Sequence, residues 1–151
     1  MPICQLVNDQ FAGVPMMRNY KDNVIVKMSF EFAIEIVEFT ELLYTEKRFV
    51  FANQVLRSGC SIGANVKEAQ GSESKADFVH KMKIALKGAE KTEYRLELCD
   101  VAKNFLKPGR LVTDIESILK ILNKIIQLQK TVKNRLRDWH FGTLIIGILS
   151  H

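Results

Sequence analysis

The sequence predicts an all-α protein, an antiparallel up-down-up-down four-helix bundle that assembles as a homo-oligomer. Three observations carry that expectation. Apolar residues recur at three- and four-residue spacings over four long stretches, with almost none of the alternation that marks strands. The only prolines are Pro2, Pro15 and Pro108, so the strongest helix breaker is missing from Lys21 to Lys107. Short turn-forming clusters separate the stretches, and helices of about 22–32 residues joined this way default to neighbours of opposite direction.

The bundle is expected over residues 21–137, after an irregular leader at 1–20 in which Met16 or Met17 is an alternative start. The first helix spans 23–45 and turns Phe32, Ile36, Phe39 and Leu43 inward. Nine of the fourteen residues from Phe30 to Leu43 are apolar, which leaves, besides Thr40 and Glu41, a thin acidic stripe of Glu31, Glu35 and Glu38. The second helix, 47–70, carries Phe51, Val55, Ile62 and Val66 as its large inward residues. Gly59 and Gly63 interrupt it at a cost of about 1 kcal/mol each against alanine, which close approach of a neighbouring backbone explains. Beside them Arg57, Ser61, Asn65 and Glu68, with Glu93 on the facing helix, are read as a polar lock on helix register. Gly71 is expected to end this helix in a left-handed conformation.

The third helix, 74–105, opens on Ser74 and Asp77 as a capping box. Phe78, Met82, Ala85, Ala89, Thr92, Leu96 and Cys99 then alternate at spacings of four and three, a heptad stripe suited to bundle packing. A second apolar stripe of Tyr94, Leu98, Val101 and Phe105 lies roughly opposite, and a helix apolar on two sides is buried on two sides. These four residues are the candidate contact between subunits. The fourth helix, 114–137, follows Lys107-Pro108-Gly109, with Thr113 and Glu116 as a second capping box. Ile115, Leu119, Leu122 and Ile126 form its stripe, widened by Ile118, Ile121 and Ile125. An apolar C-terminal extension, 138–151, completes the chain.

Composition narrows the function. With 47% hydrophobic and 26% charged residues, the chain is an ordinary globular domain of 151 residues. Its formal charge of +5 is unevenly placed: residues 22–73 hold five basic and eight acidic side chains, residues 74–137 fifteen and seven. Cys4, Cys60 and Cys99 are too few and scattered for a disulfide framework or a zinc site, and read as reduced thiols of a cytoplasmic protein. Leu144 to Leu149 is far shorter than the roughly 20 residues of a membrane span, so no membrane partner is expected.

Catalysis lacks support. Ser72 and Lys75 match a Ser-x-x-Lys pair, but its Ser-Asp-Asn and Lys-Thr-Gly companions are absent and helix capping explains the segment. His80, His140 and His151 lie too far apart to share a helical metal site. No cofactor, metal or catalytic residue is therefore assigned. The basic half offers more. Lys83, Lys87 and Lys91 are spaced four apart on the third helix. On the fourth, Lys120 and Lys124 are continued by Lys130 and end near Lys133, Arg135 and Arg137. Such rows suit phosphates, with salt-sensitive binding and little sequence readout.

The ordered motifs of the second and third helices are distinctive. Leu-Arg-Ser-Gly-x-Ser-Ile-Gly-Ala-Asn-Val-x-Glu-Ala over 56–69, Ser74-Lys-Ala-Asp-Phe78, Lys83-Ile-Ala-Leu-Lys87 and Glu93-Tyr-x-Leu-Glu-Leu98 closely resemble the 23S rRNA intervening-sequence protein family, over about Val24 to Arg135. That resemblance implies an antiparallel four-helix bundle assembled as a ring-like homopentamer. Some members are encoded within insertions in 23S rRNA genes. The family is also similar in fold to the accessory variability proteins of diversity-generating retroelements, basic pentameric barrels that bind nucleic acid and a reverse transcriptase. The expected function is a non-enzymatic, oligomeric nucleic-acid-binding protein. The alternative is a scaffold for a protein partner, such as a reverse transcriptase, without nucleic-acid contact of its own.

Overall fold

Four helices and no strand form among the described residues of the computed structural model, which cover 23–148, with side chains as far as Thr131. They are α1 (Val24–Thr45), α2 (Phe49–Gln70), α3 (Lys75–Val101) and α4 (Leu111–Ile148). Each packs against its sequence neighbours, and α4 returns to α1. The leader at 1–20 and residues 149–151 lie outside the described residues.

The apolar spacing explains the interior. Ile36, Leu43, Val55, Ile62, Val66, Met82, Leu96, Ile115 and Leu122 are fully or almost fully buried, and burial of each such side chain contributes about 1.5–3 kcal/mol. Contacts between α1 and α2 run from Asn23 Nδ2, donating to Gln70 Oε1 at 2.9 Å, to the Tyr44 hydroxyl, donating to Asn53 Oδ1. Between these ends Gly63 faces the Ser29 carbonyl and Gly59 faces Ile36. Between α2 and α3 they run from the Glu68–Lys81 ion pair at 3.4 Å, through Ser61 beside Gly88, to Arg48 donating to the Asn104 carbonyl.

The helix ends differ from the sequence reading, each for a local reason. Gly71 is not left-handed (φ −99°). Its N–H donates to Glu68 O and that of Ser72 to Ala69 O, so α2 closes by tightened three-residue turns. The left-handed helix end is instead at Lys47 (φ 60°), after α1. There Lys47 N–H donates to Tyr44 O and Arg48 N–H to Leu43 O, the paired bonds of a Schellman ending. Ser74 does cap α3, its Oγ accepting from Asp77 N–H at 3.1 Å.

Helix α3 stops at Val101 rather than near Phe105, because Ala102 turns extended (ψ 127°). Lys107 then reaches back to donate to the Asp100 and Ala102 carbonyls, the second of which also accepts from Phe105 N–H. Helix α4 starts at Leu111, and the expected Thr113–Glu116 cap does not form: the Thr113 hydroxyl donates to Arg110 O at 2.8 Å. Gly109, left-handed at φ 55°, folds the chain early enough to bury Leu111. The helix continues to Ile148, through much of the segment read as an extension after 137.

Candidate nucleic-acid interface

The inward stripe of α3 fixes what faces out. Lys83, Lys87 and Lys91 stand opposite the buried Met82–Ala85–Ala89–Thr92 line, exposed and about 6 Å apart along the axis. Among the described residues none of the three ammonium groups enters an ion pair or hydrogen bond, although the Lys91 carbonyl accepts from Arg95. His80 is exposed at the start of the same row. Tyr94, Leu98 and Val101 continue this outer face toward the C-terminal end of α3, with Tyr94 62% and Val101 81% exposed. The outer face of α3 is thus basic in its first half and apolar in its second.

On α4, Lys120 and Lys124 are exposed on the outer side, and Lys120 lies 3.9 Å from Glu116. Lys130 is exposed but does not extend their row: ten residues beyond Lys120, it stands about a quarter turn round the helix. The side chains of Lys133 and Arg137 lie outside the described residues. A seam of carboxylates separates the two rows. Glu93 on α3 is half-buried, and its carboxyl is pushed up from the usual range by burial first, then by Glu97, Glu116 and Glu90. This seam was missed in sequence: the three- and four-residue spacing of Glu90, Glu93 and Glu97 is a signal for its α3 members, but the approach of Glu116 from α4 has none.

The polar lock is built from different partners than expected. Ser61 Oγ donates to Ser58 O at 2.7 Å and Asn65 Nδ2 to Ser61 O at 2.7 Å, both within α2. Arg57 is exposed, and Glu93 forms no hydrogen bond with any described residue. Glu68 alone of the five crosses between helices, to Lys81. The buried crossing is Ser58 with Thr92, whose hydroxyl oxygens stand 2.9 Å apart. Ser58 Oγ is also 3.2 Å from Val55 O, and Thr92 Oγ1 2.8 Å from Gly88 O. With one proton each, the two hydroxyls satisfy each other and one backbone carbonyl.

Phe105 leaves the proposed subunit contact. It is half-buried against Phe51 (ring centroids 5.2 Å, 74° between planes), with the Arg48 guanidinium 4.5 Å above its ring. Exposed apolar residues at the start of α2 and the end of α3 are Phe49, Val50, Leu98 and Val101. A second site feature missed in sequence is Arg110, which donates to Glu35 Oε1 at 2.6 Å and pairs with Asp114 at 3.2 Å, tying the start of α4 to α1. It rims a cleft of about 170 Å³ floored by Met28, Phe32 and Ile118. No group of three or more metal-ligating side chains gathers among the described residues. Nor, among the described residues, is any helix long and apolar enough to cross a membrane.

Residues 21–134 match the family described as 23S rRNA-intervening sequence protein. The chain belongs to that family. The matched span includes every candidate lysine and leaves out Arg137. Its four helices are similar to the crystal structure of a protein of unknown function from the S23 ribosomal protein family of Bacteroides thetaiotaomicron. The two share 42% identity and a TM-score of 0.65, over 68% of this chain and 98% of that one. No curated protein matches the chain.

Proposed function

We propose that this chain is a non-enzymatic, cytoplasmic protein whose helices run up-down-up-down, which assembles as a homo-oligomer and binds RNA or DNA phosphates. The ordered contacts from Asn23–Gln70 to Tyr44–Asn53 and from Glu68–Lys81 to Arg48–Asn104 support the antiparallel arrangement. The exposed Phe49, Val50, Leu98 and Val101 support subunit association, and the family resemblance suggests a pentamer. One observation carries the binding reading: Lys83, Lys87 and Lys91 form an exposed row on one face of α3 whose charges no described side chain pairs with. Phosphates are the ligand such a row suits, and Lys120 and Lys124 supply further cations on α4.

The test is titration of labelled RNA and DNA at two salt concentrations. Three phosphate contacts predict at least a tenfold loss of affinity between about 50 and 200 mM salt. Reversal of charge at Lys83, Lys87 and Lys91 should abolish binding while the helical circular-dichroism signal stays. No binding at low salt, or binding indifferent to the reversal, refutes the reading. Light scattering tests the assembly: a mass several times 17.3 kDa supports it and a mass of one chain refutes it. The exposed apolar end favours a second reading, a scaffold for a protein partner such as a reverse transcriptase, which predicts partner capture without nucleic-acid binding.

A further inference from the structure

We propose that the outer row of α3 is a track for single-stranded nucleic acid, with Tyr94 as the ring on which a base stacks. The inference rests on the phosphate-binding reading above and names its substrate class.

Tyr94 follows Lys91 by three residues and Lys87 by seven, so ring and ammonium groups share one helix face. The ring is 62% exposed, and among the described residues it makes no hydrogen bond or ring contact. Among the described residues the other aromatic side chains are placed differently: Phe78 is half-buried against the core, and Phe30 lies on α1, which does not pack on α3. Phe32 and Phe39 are buried, Phe51 and Phe105 pack on each other, and Tyr44 and Phe49 form a tilted pair 5.9 Å apart. Cations in line with an open aromatic ring are the two parts of a single-strand site: charge follows the backbone, and the ring accepts any base because every base has a π-face.

The flank of the row argues against a duplex. On the α4 side lie Glu90, Glu93, Glu97 and Glu116, close enough for the other three to raise the proton affinity of Glu93. One strand can follow the lysines and leave these carboxylates to solvent. A duplex laid on the same row carries a second strand across a groove about 12 Å wide and brings its phosphates toward the carboxylates. The row is also short, about 16 Å along the axis from Lys83 to Tyr94.

The experiment compares a mixed-sequence single strand of roughly 20 nucleotides with its duplex at low salt, on the full chain. The proteins are wild type, Tyr94→Ala, Tyr94→Phe and Lys87→Glu, each checked by circular dichroism and light scattering. The single strand should bind more tightly than the duplex. Tyr94→Ala should weaken it about fivefold or more without changing its salt dependence, because no charge is lost, and should leave the duplex unaffected. Tyr94→Phe should keep the affinity, since stacking needs the ring and not the hydroxyl. Lys87→Glu should weaken both and flatten the salt dependence. The inference is overturned if the duplex is preferred, if Tyr94→Ala acts equally on both, or if it leaves the single strand within twofold. It is also overturned if Tyr94→Ala changes the oligomer mass, which would place the ring between subunits. Binding of neither probe would sink the phosphate reading itself, a result separate from all of these.

Discussion

A buried hydroxyl without a partner costs about 1–3 kcal/mol, so the Ser58–Thr92 pair is a point at which one atom decides stability. Thr92→Val keeps the shape and removes the cross-helix bond, and Ser58 can still donate to Val55 O. A loss of about 1 kcal/mol is expected by urea unfolding. Ser58→Ala/Thr92→Val should lose less than the two single changes added together, because each single change removes the same cross-helix bond and the sum counts it twice. Strict additivity would show that the contact contributes nothing. The same interior silences Cys99. Burial first, with a smaller contribution from Glu46 against the opposing Lys107, pushes its thiol up to about 11 from 9.0. Native protein at pH 8 should leave Cys99 unalkylated by iodoacetamide while unfolded protein is modified at once. The folded state therefore holds this proton more tightly, so its contribution is fully present below pH 9.0 and is lost as pH rises through about 11.

At the scale of the helix, Gly59 sets how closely α1 and α2 approach. A Cβ there would stand 2.8 Å from Ile36 Cγ2 and 3.3 Å from Ile36 Cβ, and Ile36 is fully enclosed and cannot swing aside. Alanine returns about 1 kcal/mol of helix propensity, but overpacking a filled interior costs about 1–3 kcal/mol. Gly59→Ala should therefore lower the melting temperature. Gly71→Ala, with its nearest neighbour at 3.8 Å, should not. The need for a close approach at Gly59 was legible in the spacing of small residues; its depth required the partner helix. The same limit governed the polar lock. Ser61 and Asn65 are on the expected helix, yet short polar side chains find carbonyls three or four residues back before they find another helix. Which residues cross depends on the axial register of two helices, and the period of one helix does not carry it. Phe105 fails for a related reason: its contacts with Phe51 and Arg48 lie across the bundle, and they go with the end of α3 at Val101.

For the whole molecule, the four apolar periods made the fold class and most of the interior readable, because burial of one stripe per helix is what a bundle requires. The electrostatic layout was less readable, since a net charge of +5 does not reveal a carboxylate seam between two lysine rows. That seam has a thermodynamic consequence. Glu93 is pushed up in the folded protein, by burial and by Glu97, Glu116 and Glu90, so the folded state binds its proton more tightly than the unfolded chain. The resulting stability is fully present below the unfolded value of 4.5 and is lost as pH rises through the folded value. At neutral pH the ionised seam is therefore a net strain. Glu93→Gln should stabilise the protein there by no more than about half a kcal/mol after solvent screening, and should flatten the rise in stability on acidification. Glu90→Gln/Glu93→Gln/Glu97→Gln carries the argument to binding, for it raises the formal charge from +5 to +8 beside the α3 row without touching a lysine. If phosphates follow that row, this variant should bind nucleic acid more tightly at low salt and narrow any preference for single strands over duplex. An unchanged affinity would mean that the ligand does not pass the seam, and would refute binding along the α3 row.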